Sequence, residues 1–203
     1  CSLLVWGILL RLGRPPRMAL MGGLFFALHP LCAEPVNYIS SRSELMAGLG
    51  CLGALWFYMG SVQEASRRFY VLSLVCFALG LLSKSIAITA LLLPAVWDWQ
   101  RSRTFRWGAY APFAGIAFFY LWGVRQFIAR AVLSEPVRTM GEQVATQLKG
   151  LVYYAYLLWA PFLLSVDHAF NTSTLGDPLV LLVALVLASA LAILLVWRAE
   201  LLG

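Results

Sequence analysis

Apolar runs separated by short polar stretches constrain this chain more than any other feature. They cover 2–12, 18–28, 45–60, 69–82, 86–97, 107–124, 147–165 and 179–197. In the first six, only Arg11 is charged, and it lies on a boundary. The 203 residues are 62% hydrophobic and 12% charged, against about 25% charged in an average soluble domain. Mean hydropathy is +0.82. Composition therefore predicts an integral membrane protein. Continuous runs favour helices over a β-barrel, whose strands alternate with period two. The expected fold is an all-α polytopic transmembrane bundle of about seven to eight segments.

Several runs fall short of the roughly 20 residues of a simple span. Segments 69–82 and 86–97 abut across Ser83-Lys84-Ser85. As one helix they would reach about 45 Å, too long for a typical bilayer. The expectation is two helices with a tight turn and Lys84 at the membrane surface. One tilted helix with a snorkelling lysine is the alternative. The chain opens at Cys1 on an apolar run and closes just past another, so residues 1–203 read as a single transmembrane domain, a fragment incomplete at both ends.

Charge sets the expected topology. Loop 11–17 carries Arg11, Arg14 and Arg17, net +3. Loop 61–68 is net +1, and 98–106 is net +2 with Asp98, Arg101, Arg103 and Arg106. Lys and Arg favour the cytoplasmic side, which places loop 29–44 and Lys84 together on the opposite face. Alternation then puts Arg125, Arg130 and Arg138 outside, against the rule. Either a span is miscounted or these arginines serve to bind an anion.

Other chemistries lack their signatures. There is no P-loop, no Gly-rich dinucleotide fingerprint and no GxSxG. Four cysteines show no CxxC, and the two histidines, His29 and His168, lie far apart, so no metal site is assigned from His or Cys. Mg²⁺ or Mn²⁺ on carboxylates fits better, because these ions take oxygen ligands and accompany phosphate chemistry. Gly48, Gly50 and Gly53 read as close-packing positions on one helix. The stretch Arg101–Arg106 reads as a topology determinant, and nothing points to nucleic acid.

Three stretches carry a resemblance: "FALHPLCAEPVNYISSRSELMAGL", "LGLLSKSIAITALLLPAVWDW" and "VRTMGEQVATQLKGLVYYAYLLWAPFLLSVDHAF". Together they resemble the membrane part of the transmembrane-and-tetratricopeptide-repeat O-mannosyltransferases and their bacterial relatives, of the GT-C superfamily, over about residues 18–175. The resemblance implies a hexosyltransferase of the bacterial inner membrane or endoplasmic reticulum, with its active face extracytoplasmic. It would move a mannose-like sugar from a polyprenyl-phosphate carrier to a protein, lipid or glycan acceptor. Lys84, Arg42 and Arg138 would hold the carrier phosphate, and His29, Glu34 and Glu44 would line the acceptor or sugar side. The family's acidic motif, which supplies the catalytic base, lies upstream of anything present here. Its tetratricopeptide repeats are also missing, with no 34-residue period.

Plainer readings stand beside each role. Glu34, Arg42 and Glu44 also suit a salt-bridged loop, Lys84 an interfacial anchor, and Arg138 a solvated charge. A second function class is an accessory or structural subunit of a larger membrane complex that keeps the superfamily's helices without its chemistry.

Overall fold

The computed structural model describes residues 1–32, 41–131, 139–159, 176–186 and 189, and among these there are helices and turns but no strand. The chain divides into two compact units, Cys1–Ala131 and Val132–Gly203.

In the first unit the order is α1 (Ser2–Arg11), α2 (Pro16–Leu28), a 3₁₀ turn (Pro30–Cys32), α3 (Arg42–Gln63), α4 (Arg67–Ser83), a 3₁₀ segment (Ser85–Leu91), α5 (Leu92–Ser102) and α6 (Trp107–Ala131). Local chemistry sets several ends. Gly13, at φ +75°, lets its own N–H bond Leu10 O at 2.9 Å while Arg14 N–H bonds Leu9 O at 3.1 Å. This paired capping closes α1 and needs a residue that adopts the left-handed region freely. Pro16 stands in the first turn of α2, where a missing N–H costs nothing. His29 precedes Pro30 and is extended, which ends α2. Lys84 is extended at φ −158°, ψ 135°, and separates α4 from the 3₁₀ segment.

The core lies between α3 and α4, with α5 and α6 against them. Tyr58, Met59, Phe77, Leu81 and Phe113 are buried there. Phe113 receives the rings of Tyr58, Tyr70 and Phe77 at 6.1, 6.2 and 5.4 Å between centroids. Ser73 spans the helix pair by donating to Ala54 O at 2.6 Å. That bond satisfies a buried hydroxyl that would otherwise be costly to desolvate.

The second unit holds α7 (Met140–Trp159) and a helix, α8, over 178–186. Thr139 and Glu142 form a reciprocal cap at the start of α7. Glu142 N–H bonds the Thr139 hydroxyl at 3.3 Å, and Thr139 N–H bonds the Glu142 carboxylate at 2.9 Å. Asp177 caps α8 by accepting from Leu179 N–H at 3.1 Å, and Lys149 lies 3.8 Å from the same carboxylate group.

This architecture corrects the expected polytopic bundle. Among the described residues one helix, Arg42–Gln63, is long and apolar enough to cross a membrane, while Ser2–Arg11 and Pro16–Leu28 are apolar but shorter. The seven or eight spanning segments are withdrawn, and the integral-membrane, inner-membrane and endoplasmic-reticulum placements that rested on them go too. The physical reason lies in helix length: α1 has 10 residues and α2 13, short of the roughly 20 of a simple span. Lys84 and the 3₁₀ segment also divide the run 69–97 into short pieces.

Candidate functional site

The most concentrated polar chemistry in the first unit is built around Asp98. Within α5, Pro94, Trp97 and Asp98 are buried, at the i, i+3, i+4 spacing of one helix face. The Asp98 side chain is 1% exposed. Its Oδ2 accepts from the Tyr58 hydroxyl of α3 at 2.7 Å and from the Tyr110 hydroxyl of α6 at 2.6 Å. Arg106 Nε lies 3.7 Å from the same oxygen, with its side chain 44% exposed. Arg106 also donates its backbone N–H to the Tyr110 hydroxyl at 3.1 Å, and Ser102 donates to Asp98 O at 3.1 Å.

A buried carboxylate is costly unless its lone pairs are satisfied, and two phenols and a guanidinium do this here. Burial raises the Tyr58 phenol well above its usual range, and the Asp98 contact adds to the effect. Tyr110 is raised by the same causes. Both rings therefore stay protonated donors at neutral pH. With one carboxylate oxygen holding three elements together, the cluster is arranged as a lock between α3, α5 and α6.

Two further contacts fix the frame. Arg11 donates to Gln63 at 2.9 Å and to Glu64 at 3.1 Å, and its guanidinium lies 4.5 Å from the centre of the Trp56 ring. Gln63 returns a bond to Arg11 O at 2.9 Å, so the end of α1 is held on the end of α3. Near the opposite end of α3, Lys84 pairs with Glu44.

That last pair joins two residues singled out in the sequence, one assigned to the phosphate side and one to the acceptor side. Arg42 is exposed at the start of α3. His29 ends α2, half-buried, with its ring 5.1 Å from Phe25 in an edge contact. Glu34 and Arg138 lie outside the described residues, as do Asp167 and His168. Among the described residues, no group of three His, Cys, Asp or Glu side chains is placed to hold a metal ion. Cys1 and Cys32 share the lining of a largely apolar cavity of about 350 Å³ beside Leu45 and Leu49. Of the small residues on α3, Gly50 and Gly53 face Gly80 and Cys76 of α4, whereas Gly48 has open space beside it.

Sequence reading overlooked Asp98, Tyr58 and Tyr110. A signal was present: Asp98 is flanked by two tryptophans and sits four residues after Pro94, on the apolar face of a helix. The assignment of 98–106 to a topology-setting loop hid it.

Compared with known proteins, the chain matches no family model, no curated protein and no solved structure. The resemblance to the O-mannosyltransferases is corrected accordingly. The GT-C fold, the glycosyltransferase activity, the polyprenyl-phosphate sugar donor, the lipid and glycan partners, and the accessory role in a membrane complex are withdrawn with it. The motifs that carry the resemblance are individually short, and among the described residues the helices that bear them do not form the expected set of spans.

Proposed function

We propose that the chain is a helical assembly module, which pairs with a second copy of itself through the outer face of α2. One observation carries this reading. Met18, Met21, Phe25 and Leu28 recur at spacings of three, four and three residues, and are 60, 70, 65 and 78% exposed. This is the apolar seam of a helix that packs along another helix. On the inner side of α2, Ala19 and Gly23 are buried and Phe26 is half-buried beside Cys1 and Leu45, while Leu20 and Leu24 extend the exposed apolar face.

The frame behind the seam suits this role. The Asp98 cluster, the Arg11 clamp and the α3–α4 core are satisfied internally. Burying one large apolar side chain contributes about 1.5–3 kcal/mol. Four per copy across a two-fold interface would offset the cost of association, about 4–15 kcal/mol.

Sedimentation equilibrium of the purified chain tests the reading. The expected result is a discrete dimer that Met21→Glu with Phe25→Glu converts to monomer, at unchanged helical circular dichroism. A monodisperse monomer with the wild-type seam would overturn it. So would a seam covered by bound lipid or detergent alone.

A further inference from the structure

The corner between α5 and α6 combines exposed cations with exposed aromatic rings. Arg101 lies 5.2 Å from the centre of the Trp97 ring, and Arg103 lies 5.3 Å from that of Trp99. Phe105 stacks on Trp99 at 5.3 Å and 17°, and Trp107 follows at 5.6 Å from Phe105. Phe105 is 43% and Trp107 75% exposed. Arg103 closes α5 at φ 55°, in the left-handed region.

A guanidinium laid on an indole keeps its N–H edge free, and its orientation is fixed in advance. Each such edge suits a bidentate carboxylate. Arg106 is 44% exposed but its charge is partly compensated by Asp98 at 3.7 Å, whereas Arg101 and Arg103 are exposed cations with no carboxylate partner among the described residues. Their two charges outweigh the partial charge of about −0.5 at a helix C-terminus. Two free cations would give nucleic acid only a weak, salt-sensitive hold, since that affinity grows with the number of phosphates neutralised. Trp99 and Phe105 stack on each other, which occupies their facing sides. Exposed Phe105 and Trp107 add an apolar surface beside the charges.

We propose that this corner is a docking site for an acidic protein segment carrying large apolar side chains, bound through Arg101, Arg103, Phe105 and Trp107. It is independent of the α2 seam, so loss of pairing through α2 would leave it standing.

The test uses the full chain and a fluorescein-labelled peptide of alternating glutamate and leucine, followed by fluorescence anisotropy. Arg101→Gln with Arg103→Asn removes both outward cations, and asparagine tolerates the left-handed backbone at 103. The expected result is saturable binding that weakens about tenfold or more in this variant, with little change in Arg14→Gln. Thermal unfolding of the variant at the wild-type temperature would show that the fold is intact. Absence of binding, equal weakening in Arg14→Gln, or tighter binding of oligothymidylate than of the peptide would each overturn the proposal.

Discussion

Gly50 of α3 and Gly80 of α4 bring two helix backbones into direct contact. A Cβ placed on Gly50 would lie 2.6 Å from Gly80 Cα and 2.8 Å from Cys76 O. Both obstacles are backbone and cannot rotate away. Gly50→Ala should therefore destabilise the fold by about 1–3 kcal/mol through overpacking. Gly48 has nothing within 4 Å of its built Cβ, so Gly48→Ala should stabilise by about 0.5–1 kcal/mol through helix propensity alone. Urea denaturation of the two variants checks the contrast in sign.

The Asp98 cluster predicts a graded series. Tyr58→Phe removes one donor and leaves the carboxylate held by Tyr110 and Arg106, so it should cost about 1 kcal/mol. Asp98→Ala strands two buried phenols and opens a gap, and should cost about 3 kcal/mol or more. Adding Tyr58→Phe to Asp98→Ala should cost less than the same change in the wild type, because the partner has already gone. A double-mutant cycle measures this coupling.

The same phenols make stability depend on alkaline pH. Tyr58 and Tyr110 have native values raised by burial and by Asp98, above the unfolded value of about 10. Below about pH 10 both states hold the phenolic proton and the contribution is fully present. As pH rises further, the unfolded chain ionises first and the contribution is lost toward the raised native values. Urea midpoints should hold to about pH 10 and fall above it, and Tyr58→Phe with Tyr110→Phe should flatten the decline.

The Arg11 clamp separates packing from charge. Arg11 is 15% exposed at its side chain and Glu64 51%. Arg11→Ala loses the Gln63 bond, the Glu64 bond and the stack on Trp56, and should cost about 1–3 kcal/mol. Glu64→Gln removes an exposed charge and should change stability by less than about 1 kcal/mol. Thermal unfolding of both variants distinguishes the two contributions.

Much of the helix layout is legible in residue order. The run 18–28 lies in α2, 45–60 in α3 and 69–82 in α4, and Lys84 marks the break before the 3₁₀ segment. Hydropathy does not tell which apolar residues of those helices face inward. Ala47 and Ala54 count as apolar in any average, yet they lie between α3 and its neighbours and are 2% exposed. The seam of Met18, Met21, Phe25 and Leu28 was hidden for the same reason, because an unbroken apolar run conceals which face is outward. The pairing of Glu44 with Lys84 follows from their placement at neighbouring helix ends. That of Asp98 with Tyr58, 40 residues away, depends on helix rotation and cannot be read from spacing.

Photocrosslinking shows most directly what covers the outer face of α2. A benzophenone amino acid at position 25, in place of Phe25, would react with whatever lies against the seam on illumination. Mixing chains that carry two different tags should give a tag-to-tag covalent dimer, with the crosslink mapping to α2 of the second copy. The same probe at Arg14 should give little. Adducts to lipid or detergent alone, or no chain-to-chain product at position 25, would contradict the account.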